Sequence, residues 1–229
     1  MRSGWKWLLI FWVFCSVGLA QAGVSQMPLL PAPVKEAFAK DPEIAESMHT
    51  AMSLWSAEKW SEAVQHWEFI FTKTSRRYGE GHPLTEISAG YFGDSLRGNY
   101  QYKRALPLLQ RAVASSERLL GNDDLFTALA LDGLAATHRA LGSPAISLPL
   151  AQRALAIKFR ILGETHREVA KSIGYLCINY LDLGEKKVAL ELAKREVFTL
   201  DAIGMANSRE YAKALSHLAR AYVLEDRLS

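Results

Sequence analysis

The sequence predicts an all-α solenoid built from stacked helix-turn-helix hairpins. Three observations lead to this prediction: apolar residues recur at helical spacings, a dipeptide ending in glycine returns at positions 79, 121 and 163, and no long alternating strand pattern follows position 41. Stacked hairpins bury a continuous core. This suits a chain of 229 residues of which 49% are apolar and 22% charged.

The composition argues against several other classes of protein. Lysine and arginine together number 27, against 24 for aspartate and glutamate, and two of the basic residues, Arg2 and Lys6, lie at the N-terminus. The rest of the chain is therefore close to neutral, and no nucleic-acid-binding surface is expected. Only two cysteines occur, Cys15 and Cys177, so neither a disulfide framework nor a cysteine-rich zinc site is predicted.

Residues 1–22 have the pattern of a secretory signal peptide. Arg2 and Lys6 precede an apolar run at 7–19, which Ala20 and Ala22 follow as small residues at the cleavage site. The run is shorter than the roughly 20 residues of a membrane-spanning helix. We therefore predict cleavage after Ala22 and no stable membrane insertion afterwards. The protein is expected to be exported, to the periplasm in a Gram-negative bacterium and otherwise by secretion.

The segment after the signal is predicted to consist of a tether followed by one helical domain. Residues 23–40 contain Pro28, Pro31 and Pro33, a composition that favours an extended tether. The helical domain is predicted to cover residues 41–229. Its first helix should begin at Asp41-Pro42-Glu43, where Asp41 is a good N-cap and proline suits the first helical position.

Each repeat is predicted to contain two amphipathic helices separated by a short turn. In the third repeat Leu131, Leu134 and Ala135 follow a helical spacing, Gly142 ends the first helix and Pro144 begins the second. Four such hairpins are expected from about position 41 to about position 203, and a last helix from about position 207 repeats only the first half. Close helix crossings are predicted where small residues recur in the first helices, at Ala51, Gly93, Ala135, Cys177 and Ala219.

These features resemble the tetratricopeptide repeat (TPR): paired helices with small residues at their crossing, a glycine in the inter-helix turn and an alanine early in the second helix. The 42-residue period and the Leu-Gly-x-x-His sequence at 162–166 are similar to the longer variant in kinesin light chains and many bacterial proteins. The first repeat departs from the pattern, with Glu58 where Gly142 and Gly184 stand. The resemblance implies a right-handed α-solenoid of about four and a half repeats over residues 41–229.

The residues that could carry chemistry favour structural roles. His82 and His166 recur with the repeat and are interpreted as helix-cap or turn residues, not as metal ligands. Cys177 occupies the column of small residues, which predicts a buried thiol with a raised pKa, not a nucleophile. No Gly-x-Ser-x-Gly, His-Glu-x-x-His or phosphate-binding glycine loop occurs. We therefore predict no enzymatic activity, no cofactor and no metal.

A concave groove lined by the first helices is the predicted binding surface. Its lining should be apolar near the N-terminal end and basic near the C-terminal end, which suits a protein or peptide segment with a hydrophobic anchor and an acidic stretch or free carboxylate. The apolar stripe with Trp55 could instead pack under the tether. The predicted groove residues are Met48, Met52, Trp55, Asp94, Arg97, Asp132, Arg139, Lys171, Ile178, Lys213 and Arg220.

The sequence therefore favours an exported, non-enzymatic adaptor or scaffold that holds a protein or peptide partner in its groove. The alternative is a structural component of an envelope assembly that is engaged through the ends of the array. Residues in the groove and at the ends of the array would lie far apart, so crosslinks to a bound partner would separate the two hypotheses. The sequence leaves the identity of the partner and the oligomeric state open.

Overall fold

The computed structural model describes residues 40–226, and this range contains nine α-helices and no strands. The predicted signal peptide and all but the last residue of the predicted tether lie outside it. The helices are α1 Pro42–Ser56, α2 Trp60–Tyr78, α3 Pro83–Gly98, α4 Tyr102–Leu120, α5 Leu125–Ala140, α6 Pro144–Leu162, α7 Arg167–Asp182, α8 Lys186–Ala202 and α9 Arg209–Asp226.

The helices form four hairpins and a final single helix, as the sequence predicts. Helices α1, α3, α5 and α7 are the first helices of the hairpins, and α9 stands at the position of a fifth first helix. The chain divides into two compact units at Ser115, which lies within α4. In the first unit α2 packs against both α1 and α3, and in the second unit each helix from α5 to α9 packs against the next.

The predicted turns are confirmed by their backbone conformation. Gly79, Gly121 and Gly163, which follow the second helices, have φ angles of 80°, 99° and 78°. Glycine adopts this left-handed region at no steric cost, so its recurrence marks the end of each of the first three hairpins. The first helix begins as predicted, because the Asp41 side chain accepts hydrogen bonds from the amides of Glu43 and Ile44 at 3.2 and 3.3 Å.

The column of small residues lies at the helix crossings. Ala51, Ala135 and Cys177 are fully buried, and a Cβ added at Gly93 would lie 3.0 Å from Leu109 Cγ. The Cys177 thiol donates to the Ala189 carbonyl of α8 at 3.3 Å, and burial, followed by the charge of Glu196, raises its pKa to about 12. The predicted structural role of Cys177 is therefore confirmed. Ala219 differs from the rest of the column, because it is exposed on α9.

The two repeat histidines cap helices. Nδ1 of His82 accepts from the amide of Leu84 at 3.3 Å, and Nδ1 of His166 accepts from the amide of Glu168 at 3.1 Å. Each satisfies one of the amides that the first turn of a helix leaves without an intrahelical partner. This confirms that their recurrence at an 84-residue spacing reflects the repeat.

Candidate functional site

The predicted binding residues lie on the first helices, and we call these positions, with the side chains beside them, the first-helix surface of each unit. In the first unit it comprises Met52 and Trp55 of α1 with Asp94 and Arg97 of α3. In the second unit it comprises residues of α5, α7 and α9, namely Arg139, Lys171, Tyr175, Ile178, Asp182, Lys213 and Arg220. Helical spacings of three, four and seven residues place the members from one helix on one face.

The first-helix surface of the first unit is held together by one carboxylate. The Trp55 indole Nε1 donates to Asp94 Oδ2 at 3.0 Å, and Arg97 Nε donates to Asp94 Oδ1 at 2.7 Å. The Trp60 ring meets the Trp55 ring edge-on, with centroids 5.9 Å apart. Asp94 and Arg97 neutralise each other, so the half-buried rings and Met52 give this surface a largely apolar character.

The first-helix surface of the second unit contains an acid shared by two arginines. Asp182 of α7 accepts from Arg139 of α5 at 3.2 Å through Oδ2 and from Arg220 of α9 at 3.0 Å through Oδ1. This pair of bonds connects three consecutive first helices. Lys171 lies over the Tyr175 ring at 6.0 Å, one turn from the half-buried Ile178. The named positions therefore hold four basic residues and one acidic residue around two apolar side chains.

Two predicted groove residues have buried side chains. Met48 is 0% exposed and Asp132 is 4% exposed, although both were expected at the surface. The reason for Asp132 is its partners, since Oδ2 accepts from Lys158 Nζ at 2.6 Å and from Ser172 Oγ at 2.7 Å. Met48 belongs to the buried apolar side of α1 together with Ile44 and Ala51. The other nine predicted residues are half-buried or exposed.

A buried ion cluster lies behind the second-unit surface and joins α5, α6 and α7. Lys158 of α6 is 0% exposed and donates both to Asp132 and, at 3.1 Å, to Glu168 Oε2. Burial disfavours the ionised form of Glu168, but the charges of Lys171 and Lys158 and the hydrogen bond from Lys158 outweigh it, and the pKa of Glu168 falls to about 2. The cluster therefore holds charged groups at these positions inside the fold.

A second buried acid lies between α7, α8 and α9. Glu196 of α8 is 4% exposed, and its Oε2 lies 2.8 Å from His217 Nδ1 of α9. Its side chain passes over Gly174 of α7, where a Cβ would come 2.3 Å from Glu196 Oε1. Glycine at 174 is thus required by the close approach of this carboxylate. The contact between Glu196 and His217 fixes α9 against α8.

A surface cleft of about 530 Å³ lies beside α2 in the first unit, away from its first-helix surface. Phe69, Thr72 and Arg76 line it together with Lys73. Lys73 donates to Asp41 at 3.1 Å and also bonds to Glu43, so this basic side chain anchors the start of α1. The cleft is therefore bordered by residues that stabilise the first hairpin.

The described residues contain no metal-type cluster of three or more histidine, cysteine, aspartate or glutamate side chains. Among residues 40–226 no helix is both long and apolar enough to cross a bilayer. The histidine and cysteine side chains named above cap helices, contact a buried acid or pack at a helix crossing. The charged clusters therefore consist of ion pairs between neighbouring helices.

Several residues that contact the predicted site residues were not predicted from the sequence. Asp182 and Tyr175 lie on the second-unit surface, and Lys158 and Glu168 hold Asp132, but none of the four was predicted. One signal was present: Lys158 falls 42 residues from Ser116 and from Leu200, both of which are buried. A lysine in such a column indicates a buried carboxylate partner.

Comparison with known proteins identifies the repeat. Residues 91–158 match the family model of the tetratricopeptide repeat. No curated protein is similar enough in sequence to count as a match. Among solved structures, the nearly identical TPR-like repeats assigned to a kinesin light chain of Podosopora anserina are similar with a TM-score of 0.63 and 21% identity, over 80% of this chain and 86% of that one.

A second solved structure supports the same fold. BtubC (BKLC) from P. vanneervenii is similar with a TM-score of 0.59 and 13% identity, over 93% of this chain and 91% of that one. At these identities the likeness establishes the fold alone. The predicted all-α solenoid of helical hairpins is confirmed by the order of the helices and by these two structures.

Proposed function

We infer the function from the fold, because this chain is a tetratricopeptide-repeat protein and such repeats generally serve as non-enzymatic scaffolds for protein interaction. We propose that it binds an acidic segment of a partner protein on the first-helix surface of its second unit. The observation that carries the proposal is the excess of basic side chains around Tyr175 and Ile178. A segment with carboxylates and one apolar side chain complements this arrangement.

The arginines on this surface are suited to a partner's carboxylate. A guanidinium has five N–H donors in a rigid fork, and the described bond from each of Arg139 and Arg220 to Asp182 uses one of them. Because Arg139, Asp182 and Arg220 keep partly exposed side chains, a partner carboxylate can join the cluster without displacing buried groups. The shared acid orients both arginines before the partner arrives, which reduces the entropy lost on binding.

The apolar residues provide the second element of recognition. Tyr175 and Ile178 are half-buried on α7, between Lys171 and Asp182. An apolar side chain of the partner would cover both and remove their exposed area from water, a contribution that does not depend on salt. In the first unit Met52 and Trp55 form a separate apolar surface, and we assign to it a hydrophobic contact with a partner.

The proposal includes export. The support is the N-terminal sequence, in which Arg2 and Lys6, the apolar run at 7–19 and the pair Ala20 and Ala22 follow the order of a secretory signal. The protein would then meet its partner in the periplasm or outside the cell. Intact mass of the protein recovered from the exported fraction tests this part, because a product that retains residues 1–22 would contradict cleavage after Ala22.

Two matched fluorescent peptides test the binding surface. Both are short and carry one central leucine, flanked in one peptide by glutamates and in the other by lysines. We expect the acidic peptide to bind and the basic peptide not to bind, since the four basic side chains attract one charge sign. Arg139→Glu should weaken binding by about tenfold or more and reduce its salt dependence, because the partner's carboxylate loses one guanidinium and meets a like charge.

The control is Arg160→Glu. Arg160 lies on α6, away from the first-helix surface, and pairs with Asp123 at 2.6 Å with its side chain 58% exposed. Arg160→Glu changes the net charge by the same amount as Arg139→Glu. Because it does so away from the first-helix surface, it should leave peptide binding within about twofold. Equal binding of the two peptides, or equal losses in Arg139→Glu and Arg160→Glu, would refute recognition at this surface.

A further inference from the structure

The last helix exposes an apolar stripe whose counterpart in the preceding repeat is buried. We call Ala212, Leu215, Ala219 and Tyr222 the α9 outer stripe; their spacing of three, four and three residues places them on one face. Leu215 and Tyr222 are each 45% exposed, and both alanines are exposed. This face is distinct from the first-helix surface, which α9 forms with Lys213 and Arg220.

Helix α7 carries an almost identical stripe at the equivalent positions, 42 residues earlier. There Ala170, Ile173 and Cys177 are each 0% exposed, and Tyr180 packs against the same cluster. The residue types match at each position: alanine with alanine, isoleucine with leucine, cysteine with alanine and tyrosine with tyrosine. A surface that covers the α7 stripe therefore fits the α9 outer stripe in shape and polarity.

Helix α8 shows what covers this kind of stripe. Its Ala189 and Ala193, both 0% exposed, form one buried cluster with Cys177 and Leu190. Alanines four residues apart let the backbones approach closely, as shown by the 3.3 Å contact from Cys177 Sγ to the Ala189 carbonyl. The covering element is thus an amphipathic helix with two small residues at its contact face. Within residues 40–226 no second helix follows α9.

We propose that the α9 outer stripe is a docking site for an amphipathic helix of a partner protein, which packs on α9 as α8 packs on α7. The partner helix presents two small residues, four positions apart, to Ala219, and flanks them with leucine or another large apolar residue. Docking covers Leu215 and Tyr222 and completes the fifth hairpin in trans. The site is separate from the proposed acidic-segment surface, and either can exist without the other.

The probe is a capped, fluorescent peptide with the sequence of residues 185–203, which contains α8. We expect saturable binding to the full chain, and sedimentation should show one peptide bound to a monomeric chain. Leu215→Glu should weaken binding by about tenfold or more, because docking would bury an unpaired charge. A peptide with Ala193→Glu should bind equally weakly, since its glutamate would fall at the helix crossing.

The matched control is Phe198→Glu, which changes a side chain that is 68% exposed on α8 and lies outside the stripe. It should leave peptide binding unchanged, and circular dichroism should show equal helicity in both variants. A peptide that instead displaced the chain's own α8 would bind Leu215→Glu as well as the wild type, and this result would overturn the proposal. Absence of binding, or dimerisation of the chain that Leu215→Glu abolishes, would also overturn it, the latter in favour of a second copy as the occupant.

Discussion

Lys158 shows how one buried side chain can connect three helices. Its ammonium group, fully buried on α6, donates to Asp132 of α5 and to Glu168 of α7. Ser172 adds a further hydrogen bond to Asp132 at 2.7 Å. Each charged group has an opposite charge within hydrogen-bond distance, which offsets the cost of removing it from water. Loss of one member leaves the others buried without that compensation.

We predict that Lys158→Met lowers the free energy of unfolding by about 3–5 kcal/mol, because it leaves the buried Asp132 without its cation and removes one of the cations that face the half-buried Glu168. The measurement is urea denaturation.

The wild type should also lose stability in acid. The folded pKa of Glu168 is about 2 against an ordinary 4.5, so ionised Glu168 contributes stability above about pH 4.5 that disappears as the pH falls toward 2. In Lys158→Met this contribution should be smaller.

Lys194→Met is the control for Lys158→Met. Lys194 lies on α8, pairs with Glu191 at 2.8 Å and has a side chain that is 46% exposed. The same chemical change at a solvated ion pair should leave the urea midpoint close to that of the wild type. If both variants lost equal stability, the buried cluster would not be the cause.

At the scale of the elements, the turn within each hairpin has one recurring requirement. Gly142 and Gly184 have φ angles of 79° and 81° at the position that follows the first helix. The first two hairpins place Glu58 and Tyr100 there, with φ angles of 55° and 61°. These side chains adopt a left-handed conformation that costs an L-residue about 1–2 kcal/mol. The hairpin geometry therefore overrides the local preference of both residues.

We predict that Tyr100→Gly raises the free energy of unfolding by about 1 kcal/mol, because glycine removes the steric cost while losing part of the gain to its larger entropy in the unfolded chain. Tyr100 is 79% exposed, so little packing is lost. The urea midpoint gives the change. Tyr100→Ala is the control: it removes the ring but keeps Cβ, and it should not stabilise. Destabilisation by Tyr100→Gly would mean that the edge-on contact with Tyr102 outweighs the backbone cost.

At the scale of the whole molecule, α9 closes the core of the second unit while exposing its own outer stripe. Ala221 is 0% exposed in the cluster around Cys177, against which Leu218 and Leu224 also pack. Ala214 is buried in a second cluster, with Leu200 of α8. The inner side of α9 is therefore part of the fold, while its outer side carries the exposed Leu215 and Tyr222.

We predict that a chain ending at Gly204 associates with other copies of itself. Its Cys177 thiol should also react with a thiol reagent much faster than in the full chain. The truncation uncovers the apolar cluster around Cys177 and lowers the burial that raises the thiol pKa to about 12. Light scattering and the rate of thiol labelling provide the measurements. Leu215→Glu is the comparison variant, because it alters the exposed side of α9 and should leave Cys177 unreactive. A soluble truncated chain with an unreactive thiol would contradict this role of α9.

The amino-acid sequence by itself determined the periodic features of this protein. The glycines at 79, 121 and 163, the cap at Asp41 and the buried position of Cys177 were all predictable, because helix spacing, capping and turn conformation depend on residues close together in the chain. The repeat converted these local signals into a fold, since the same pattern recurs 42 residues later with the same neighbours.

Only the tertiary structure decided how side chains pair between helices. Asp182 meets residues that lie 43 and 38 positions away, and Lys158 meets Asp132 across 26 positions. The packing also buries Met48, which was predicted to line the groove, and leaves Ala219 exposed, although it was predicted to lie at a helix crossing. Periodicity fixes the face of a helix on which a residue lies. Burial and charge pairing depend on what the neighbouring helix brings to that face, and α9 has no following helix within the described residues.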